Sequence, residues 1–396
     1  MSRANVTTAA LAASLTLIGY GAWAASAESH IAAAIRAAGK DQTGILSLCA
    51  SRASGAGNNT AEPAKVFDNL YFVGIPSVSA WALTTSDGII VIDALNNAQE
   101  AETSIEGGLR KLGLDPAAIK YVVITHAHGD HFGGAQYLAD KFGARLVMSG
   151  IDWDYLAALS PVTNPARGPI PKRGLSVRDG GALTLGDTTI EFTVTPPHTP
   201  GTLSIIMPLK DGERRHVGAQ WGGTAFNFRP IPENFTAYID SAEKFSRVVD
   251  EREADVTPSN HPSYDVALNK IAALKTRTTG APHPFVMGKE STLRFLNVAA
   301  ECAAGYQQLC TPCAAPRRGR PAHATAAIRG ALAGRCRDGA DGRAAETADD
   351  GARSGASAQR TDGGAGARTE QAARQRAFTG RRSASRQCEA GEQHGR

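Results

Sequence analysis

Short apolar runs and longer periodic stretches take turns along the first three quarters of the chain. Leu70–Gly74, Ser79–Thr84 and Gly88–Asp93 are β-branched or aromatic and bounded by turn residues, the pattern of strands. Asn97–Leu112 then carries Ile105 and Leu109 at i, i+4 spacing and meets Gly113, which predicts a helix and its end. Tyr121–Thr125 is a continuous apolar run of buried-strand type. Ala135, Leu138 and Phe142 return to helical spacing, and Ala144–Met148 reads as another strand. A short helical piece around Trp153–Leu159 leads into a proline-rich loop, Pro161–Pro171, placed to border a cleft. A second β series starts at Ala182 and runs through Thr188–Val194, Leu203–Met207 and His216–Ala219. Helical patterns close the sequence at Thr236–Val249, Asp265–Lys275 and Ser291–Gln308. Strands, helices, strands, helices is an α/β order. It fits a four-layer αβ/βα sandwich, two mixed β-sheets face to face with helices outside. About 285 residues suffice to bury one full core.

The two ends differ from this middle. Residues 1–27 combine Arg3, an apolar run Ala9–Trp23 and the small-residue sites Ala22-Trp-Ala24 and Ala25-Ser-Ala27, as in a secretory signal peptide. The run is too short and alanine-rich for a good membrane span, so export without a stable membrane anchor is expected, to the periplasm or the medium. Residues 314–396 contain no lysine, and their only larger apolar residues are Ile328, Leu332 and Phe378, a composition expected to stay disordered. Out-of-frame translation of a GC-rich gene would give the same arginine without lysine. Sixteen arginines against nine acidic residues give this tail +7, which leaves −3 for the rest of a chain whose net charge is +4. Acids are interspersed and stacking aromatics are missing, so no nucleic-acid partner is expected. The working domain is therefore 28–313, acting on a small molecule; the sequence leaves its oligomeric state open. Of six cysteines, Cys49, Cys302, Cys310 and Cys313 lie in foldable sequence. Export permits disulfides, but pairing does not follow from sequence. Cys310-Thr-Pro-Cys313 has no second pair and reads as structural.

The candidate chemistry sits where the Tyr121–Thr125 strand ends. His126, His128, Asp130 and His131 fall within six residues of a strand-to-helix loop. Open α/β sheets place their sites beyond the carboxyl ends of strands, and imidazole and carboxylate are zinc ligands where thiolate is lacking. His198, in Thr195-Pro-Pro-His198-Thr-Pro-Gly201, and His261, in Ser259-Asn260-His261-Pro262, also follow strands. Three loops at three strand ends can share one site.

His126-X-His128-X-Asp130-His131 resembles the signature of the metallo-β-lactamase superfamily, and the resemblance runs from about Val66 to Leu309. It implies two zinc ions per chain, one on His126, His128 and His198, the other on Asp130, His131 and His261. The strand where many members carry a bridging aspartate reads His216-Val-Gly-Ala-Gln220-Trp221-Gly222, with neither aspartate nor cysteine. That absence, with His131 present, is similar to the third subclass of class B β-lactamases. Members of that subclass hold the substrate carboxylate with serines on the following loop. This chain has Trp221 and Gly223 there, then Thr224 and Asn227.

The resemblance implies a zinc hydrolase in which a zinc-bound hydroxide opens a lactam ring, an antibiotic-resistance activity. Asp130 is the expected catalytic residue, binding metal and orienting the nucleophile. Gln220, Thr224, Asn227 and Asn260 are candidate substrate contacts. The altered loop keeps a lactone, ester or thioester substrate as the alternative. An iron oxidoreductase would call for a flavin-binding partner domain or a bridging acid, and neither is visible.

Overall fold

The computed structural model describes residues 26–50, 61–159, 164, 166–278 and 280–310. The signal-peptide expectation (apart from its last two residues) and the tail expectation lie outside these. In chain order the helices are α1 (Ala27–Ala38), α2 (Ala98–Glu100), α3 (Gly107–Lys111), α4 (Gly129–Phe132), α5 (Ala135–Phe142), α6 (Gly150–Ala158), α7 (Pro232–Glu251), α8 (Ala267–Leu274) and α9 (Lys289–Cys310). A π-helical stretch, Ala101–Glu106, joins α2 to α3, so the single helix expected over 97–112 is one rod with a wide turn inside.

Seven strands form the first sheet: β1 (Ala64–Lys65), β2 (Leu70–Phe72), β3 (Trp81–Thr85), β4 (Gly88–Ile92), β5 (Ile119–Val123), β6 (Arg145–Ser149) and β7 (Leu175–Val177). Neighbours from β1 to β4 are antiparallel and those from β4 to β7 parallel. The second sheet holds β8 (Ala182–Leu185), β9 (Thr188–Val194), β10 (Leu203–Asp211) and β11 (Arg214–Gln220) in the order β11-β10-β9-β8. These four are antiparallel throughout, not mixed; the short strand ahead of His261, at Asp255–Thr257, is reduced to a parallel bridge from Val256 to Gly218 of β11.

Side-chain alternation separates the layers. Trp81, Leu83, Ile90, Ile92, Val123 and Val147 point between the sheets and meet Phe192, Leu203, Ile205 and Met207. Their strand neighbours Ala82, Ile89, Val91, Val122 and Leu146 face the other way, onto Ile105, Leu109, Leu138 and Trp153 of the first helical layer. Ile206, Ala219 and Trp221 turn from the second sheet towards α1, α7 and α9. The result is the αβ/βα sandwich. Helix α1, which sequence patterning had not marked, belongs to the outer layer: Ser26 caps it, and it lies along α9 through His30 and Glu301. A disulfide joins Cys49 to Cys302 across 253 positions.

Candidate metal centre

Strand β5 delivers Thr125 and His126 to the sheet's edge, and α4 opens directly on Gly129, so the donors alternate around a tight corner. His198 comes from the β9–β10 connection and His261 from the segment after Val256. They close into two groups of three: His126 with His128 and His198, and Asp130 with His131 and His261. His198 Nε2 lies 3.1 Å from both His126 Nε2 and His128 Nδ1. Three imidazoles on a tetrahedral zinc at about 2.05 Å would set their nitrogens roughly 3.3 Å apart, so this group has the right size. In the second group His131 Nε2 is buried with no hydrogen-bond partner and lies 3.6 Å from Asp130 Oδ2, while His261 Nε2 is 4.0 Å from the same oxygen. A buried ring nitrogen left unpaired beside a carboxylate is costly and fits a position for a cation.

The ring nitrogens that face away from the centre are tied down. His131 Nδ1–H donates to Asp93 at 2.9 Å, His198 Nδ1–H to the Ala225 carbonyl at 2.6 Å, and His261 Nδ1–H to the Ser77 carbonyl at 2.7 Å. Thr125 Oγ1 lies 3.0 Å from His126 Nδ1 and donates to Asp93, whose carboxylate also accepts the Thr125 N–H. One buried carboxylate thus braces His131 directly and His126 through a hydroxyl. Asp93 has φ of 62°, a left-handed conformation unusual for a non-glycine residue and the sort of strain kept where a side chain must be aimed. Asp152 of α6 forms a second clamp. It accepts the Ala127 N–H of the first donor loop and the Thr199 hydroxyl and Gly201 N–H of the His198 loop. Burial raises its carboxyl to about 6, against those three hydrogen bonds.

Electrostatics sort the donors. Burial, and then the neighbouring histidines, hold His126 and His198 well below the usual histidine range, so both are neutral, the form that ligates. At His131 burial works the same way but Asp130 and Asp93 outweigh it and raise the ring's pKa. Burial alone would raise Asp130; His131, His261 and Arg167 instead keep it ionised far below the ordinary carboxylate range.

The candidate substrate contacts fare differently. Asn260 is fully buried, donates to the Gly222 carbonyl at 2.8 Å and accepts from Thr224 Oγ1 at 3.4 Å. That corrects both expectations: Asn260 and Thr224 are occupied with each other, inside the protein. Gln220 is also fully buried, though both its amide atoms lack partners. Asn227 is half-buried on the loop beyond. Trp221 turns into the outer core and donates to Tyr238, and a Cβ on Gly223 would fall 2.4 Å from that of His198. The loop that replaces the expected serines therefore packs against a donor histidine too tightly for any side chain at 223. Sequence reading missed Asp93, Thr125, Asp152 and Thr199. Asp93 alone left a trace, since it ends an apolar strand as His126 nearly does.

A model of the metallo-β-lactamase superfamily matches residues 73–211. Residues 73–211 are thus a metallo-β-lactamase superfamily domain. Among solved structures it resembles BJP-1, a subclass B3 metallo-β-lactamase of Bradyrhizobium japonicum, at 26% identity and TM-score 0.52, covering 62% of this chain and 93% of that one. Curated relatives include a UPF0173 metal-dependent hydrolase of Staphylococcus aureus, 40% identical over 154 residues (33% of this chain, 63% of that one). Another is a hydroxyacylglutathione hydrolase of Acidiphilium cryptum, 28% identical over 127 residues (32% of this chain). The chain spans between 43% and 63% of the length of these and of a third relative, YobT of Bacillus subtilis. No helix among the described residues is long and apolar enough to cross a membrane.

Proposed function

We propose that this metallo-β-lactamase domain is an exported dinuclear zinc hydrolase that opens the ring of a β-lactam. The observation that carries the reading is the pair of three-donor groups built from His126, His128 and His198 and from Asp130, His131 and His261. The likeness to BJP-1, over nearly all of that protein, favours the lactam among possible substrates. Zinc held by these residues would supply hydroxide at neutral pH, by lowering the pKa of bound water to ~7, and would polarise a carbonyl. The chain's own part is positional. Asp93 and the Ser77 and Ala225 carbonyls fix the tautomers of His131, His261 and His198, leaving each remaining nitrogen lone pair aimed inward. Asp130, ionised and only 17% exposed, would accept a hydrogen bond from the attacking water and so orient it. Five neutral imidazoles and one carboxylate leave the centre positive, which suits an anion developing on a carbonyl oxygen.

A lactone, ester or thioester substrate is the second reading. It is favoured by the closed loop at 222–224, where Thr224 and Asn260 bond each other, and by the name of the Acidiphilium relative. Hydrolysis of a chromogenic cephalosporin and a carbapenem by the full chain, with and without a zinc chelator, separates the two. Chelator-sensitive turnover is expected. A zinc-loaded protein inert to both lactams, yet active on a thioester or lactone panel, would hand the site to the second reading.

A further inference from the structure

His261, the donor furthest along the chain, rests on a strap from near its beginning. Residues 39–49 leave α1 and touch both the start of α9 and the turn that carries His261. Asp41 accepts the Ser291 hydroxyl and the Arg294 guanidinium, and the buried Gln42 donates through Nε2 to the Ser291 carbonyl at 2.9 Å. Further on, a 3₁₀ turn, Ile45–Leu48, sinks Ile45 and Leu48 into the same apolar cluster as Phe295 and Ala299 of α9. Between these two fastenings lies Gly44. Its φ of −64° and ψ of −47° suit any residue, so the backbone does not call for glycine there. Space does. A Cβ at 44 would fall 2.5 Å from the carbonyl oxygens of both Ser263 and Tyr264, the two residues that follow His261-Pro262.

The turn on the other side of this contact is closed on itself. Tyr264 N–H donates to the His261 carbonyl at 3.1 Å, Ala267 N–H to that of Pro262 at 2.9 Å, and Asp265 accepts the Ser259 N–H at 3.2 Å. Val266 holds φ of 51°, a bend that a β-branched residue adopts only where its surroundings impose it. The Tyr264 ring stands nearly perpendicular to the His261 imidazole, with centroids 5.9 Å apart. Two fastened backbones in contact leave one quantity free, the distance between them, and a close-packed interface passes a displacement of one to the other. His261 is also the donor with the least margin: its Nε2 lies 4.0 Å from Asp130 Oδ2, against 3.6 Å for His131. We propose that Gly44 is a positioning residue of the second donor group, its missing side chain setting the depth of the 262–264 turn and through it the reach of His261 towards Asp130 and His131. The inference rests on the metal-centre reading and holds for lactam and lactone substrates alike.

The test reads metal affinity on the full chain, not turnover. Zinc titrated against a chromogenic chelator should give two dissociation constants in the wild type, and the one that H261A weakens belongs to the second group. G44A should weaken that constant about tenfold to a hundredfold, the scale of lost outer support, and leave the other as it is. Adding Q42A to G44A lets the strap yield in place of the turn, and should restore much of the affinity while resistance to denaturant falls further. G44A with both constants as in the wild type, or with both weakened equally, overturns the proposal, and so does a double variant that binds more weakly still. Coupling between two sites is reciprocal, which gives a measurement without any substitution at 44. Zinc should slow amide hydrogen exchange at Ser47, whose N–H donates to the Gly44 carbonyl at 3.1 Å, in the wild type but not in H261A carrying one zinc. Equal exchange in the zinc-loaded and zinc-free wild type overturns the proposal as well. A wild type that binds no second zinc would overturn the metal-centre reading itself, and this inference with it.

Discussion

The two sides of the candidate metal centre are built in opposite ways. The side on the seven-stranded sheet places four donors in one corner between β5 and α5, and the Asp93 carboxylate that braces it comes from the adjacent strand end. The side on the four-stranded sheet contributes His198 and His261 singly, from two loops, and each loop is also held from outside. His261 leans on the Ser77 carbonyl of the first sheet's connections, and the His198 loop is gripped by Asp152 of α6. One side is local geometry that a short peptide stretch encodes. The other exists only once the sheets have packed, so its precision depends on contacts between distant parts of the chain.

That contrast can be broken from the far side first. His198→Ala removes a donor from the neutral group, and turnover should fall roughly 10³-fold or more, with about one metal retained when counted by mass spectrometry. Undiminished metal content and turnover would show that His198 is not a ligand. Asp152→Ala leaves every donor in place but frees the His198 loop from the first; metal affinity or turnover should drop about 10- to 100-fold. Asp93→Asn should cost a similar factor, felt mainly at His131, and a null effect at both positions would mean that the donor loops need no bracing.

Cys49→Ser with Cys302→Ser tests whether the outer helical layer matters to the site or only to its support. Stability should fall by roughly 2–5 kcal/mol in denaturant titration while turnover at room temperature stays the same. A loss of turnover in the still-folded protein would make that layer part of the positioning. The smallest effect is expected at Asp265, buried beneath the His261 loop where it accepts the Ser259 N–H. Burial raises its carboxyl from 3.8 to about 7, against Lys270 and the hydrogen bonds it accepts. A raised carboxyl stays protonated in the folded chain after the unfolded chain has ionised. Its stabilising share is therefore whole below about pH 4 and lost as the pH climbs to about 7. Relative to Asp265→Asn, the wild type should lose on the order of 1–3 kcal/mol across that window. A difference that does not change with pH would place the proton elsewhere.

The same asymmetry decides what was legible in sequence. Gly88–Asp93 and Tyr121–Thr125 announced their strands because burial on both faces demands unbroken β-branched residues. The donor cluster stood out because no ordinary core satisfies four such groups so close together. Strand β7 (Leu175–Val177) is three residues at an edge, too short to carry a period, and α1 lies hidden among alanines. Thr224 and Asn260 looked like rim contacts because polarity shows in sequence while direction does not. Their mutual hydrogen bond depends on where the β11 loop meets the His261 loop. Asp152 was invisible for the same reason: a carboxylate in the first turn of a short helix reads as surface until its three partners are seen.

The Cys49–Cys302 bond has a topological effect apart from its energy. It closes residues 49–302 into a covalent ring that contains every strand among the described residues and every candidate metal donor, while α1 and the last part of α9, beyond Cys302, lie outside it. A protease that cuts any loop within the ring, the segment carrying Arg167 included, opens the circle without releasing a piece. The nicked molecule keeps its mass and its two sheets stay tethered at the concentration of a single chain, so that cleavage is seen on a gel only after reduction.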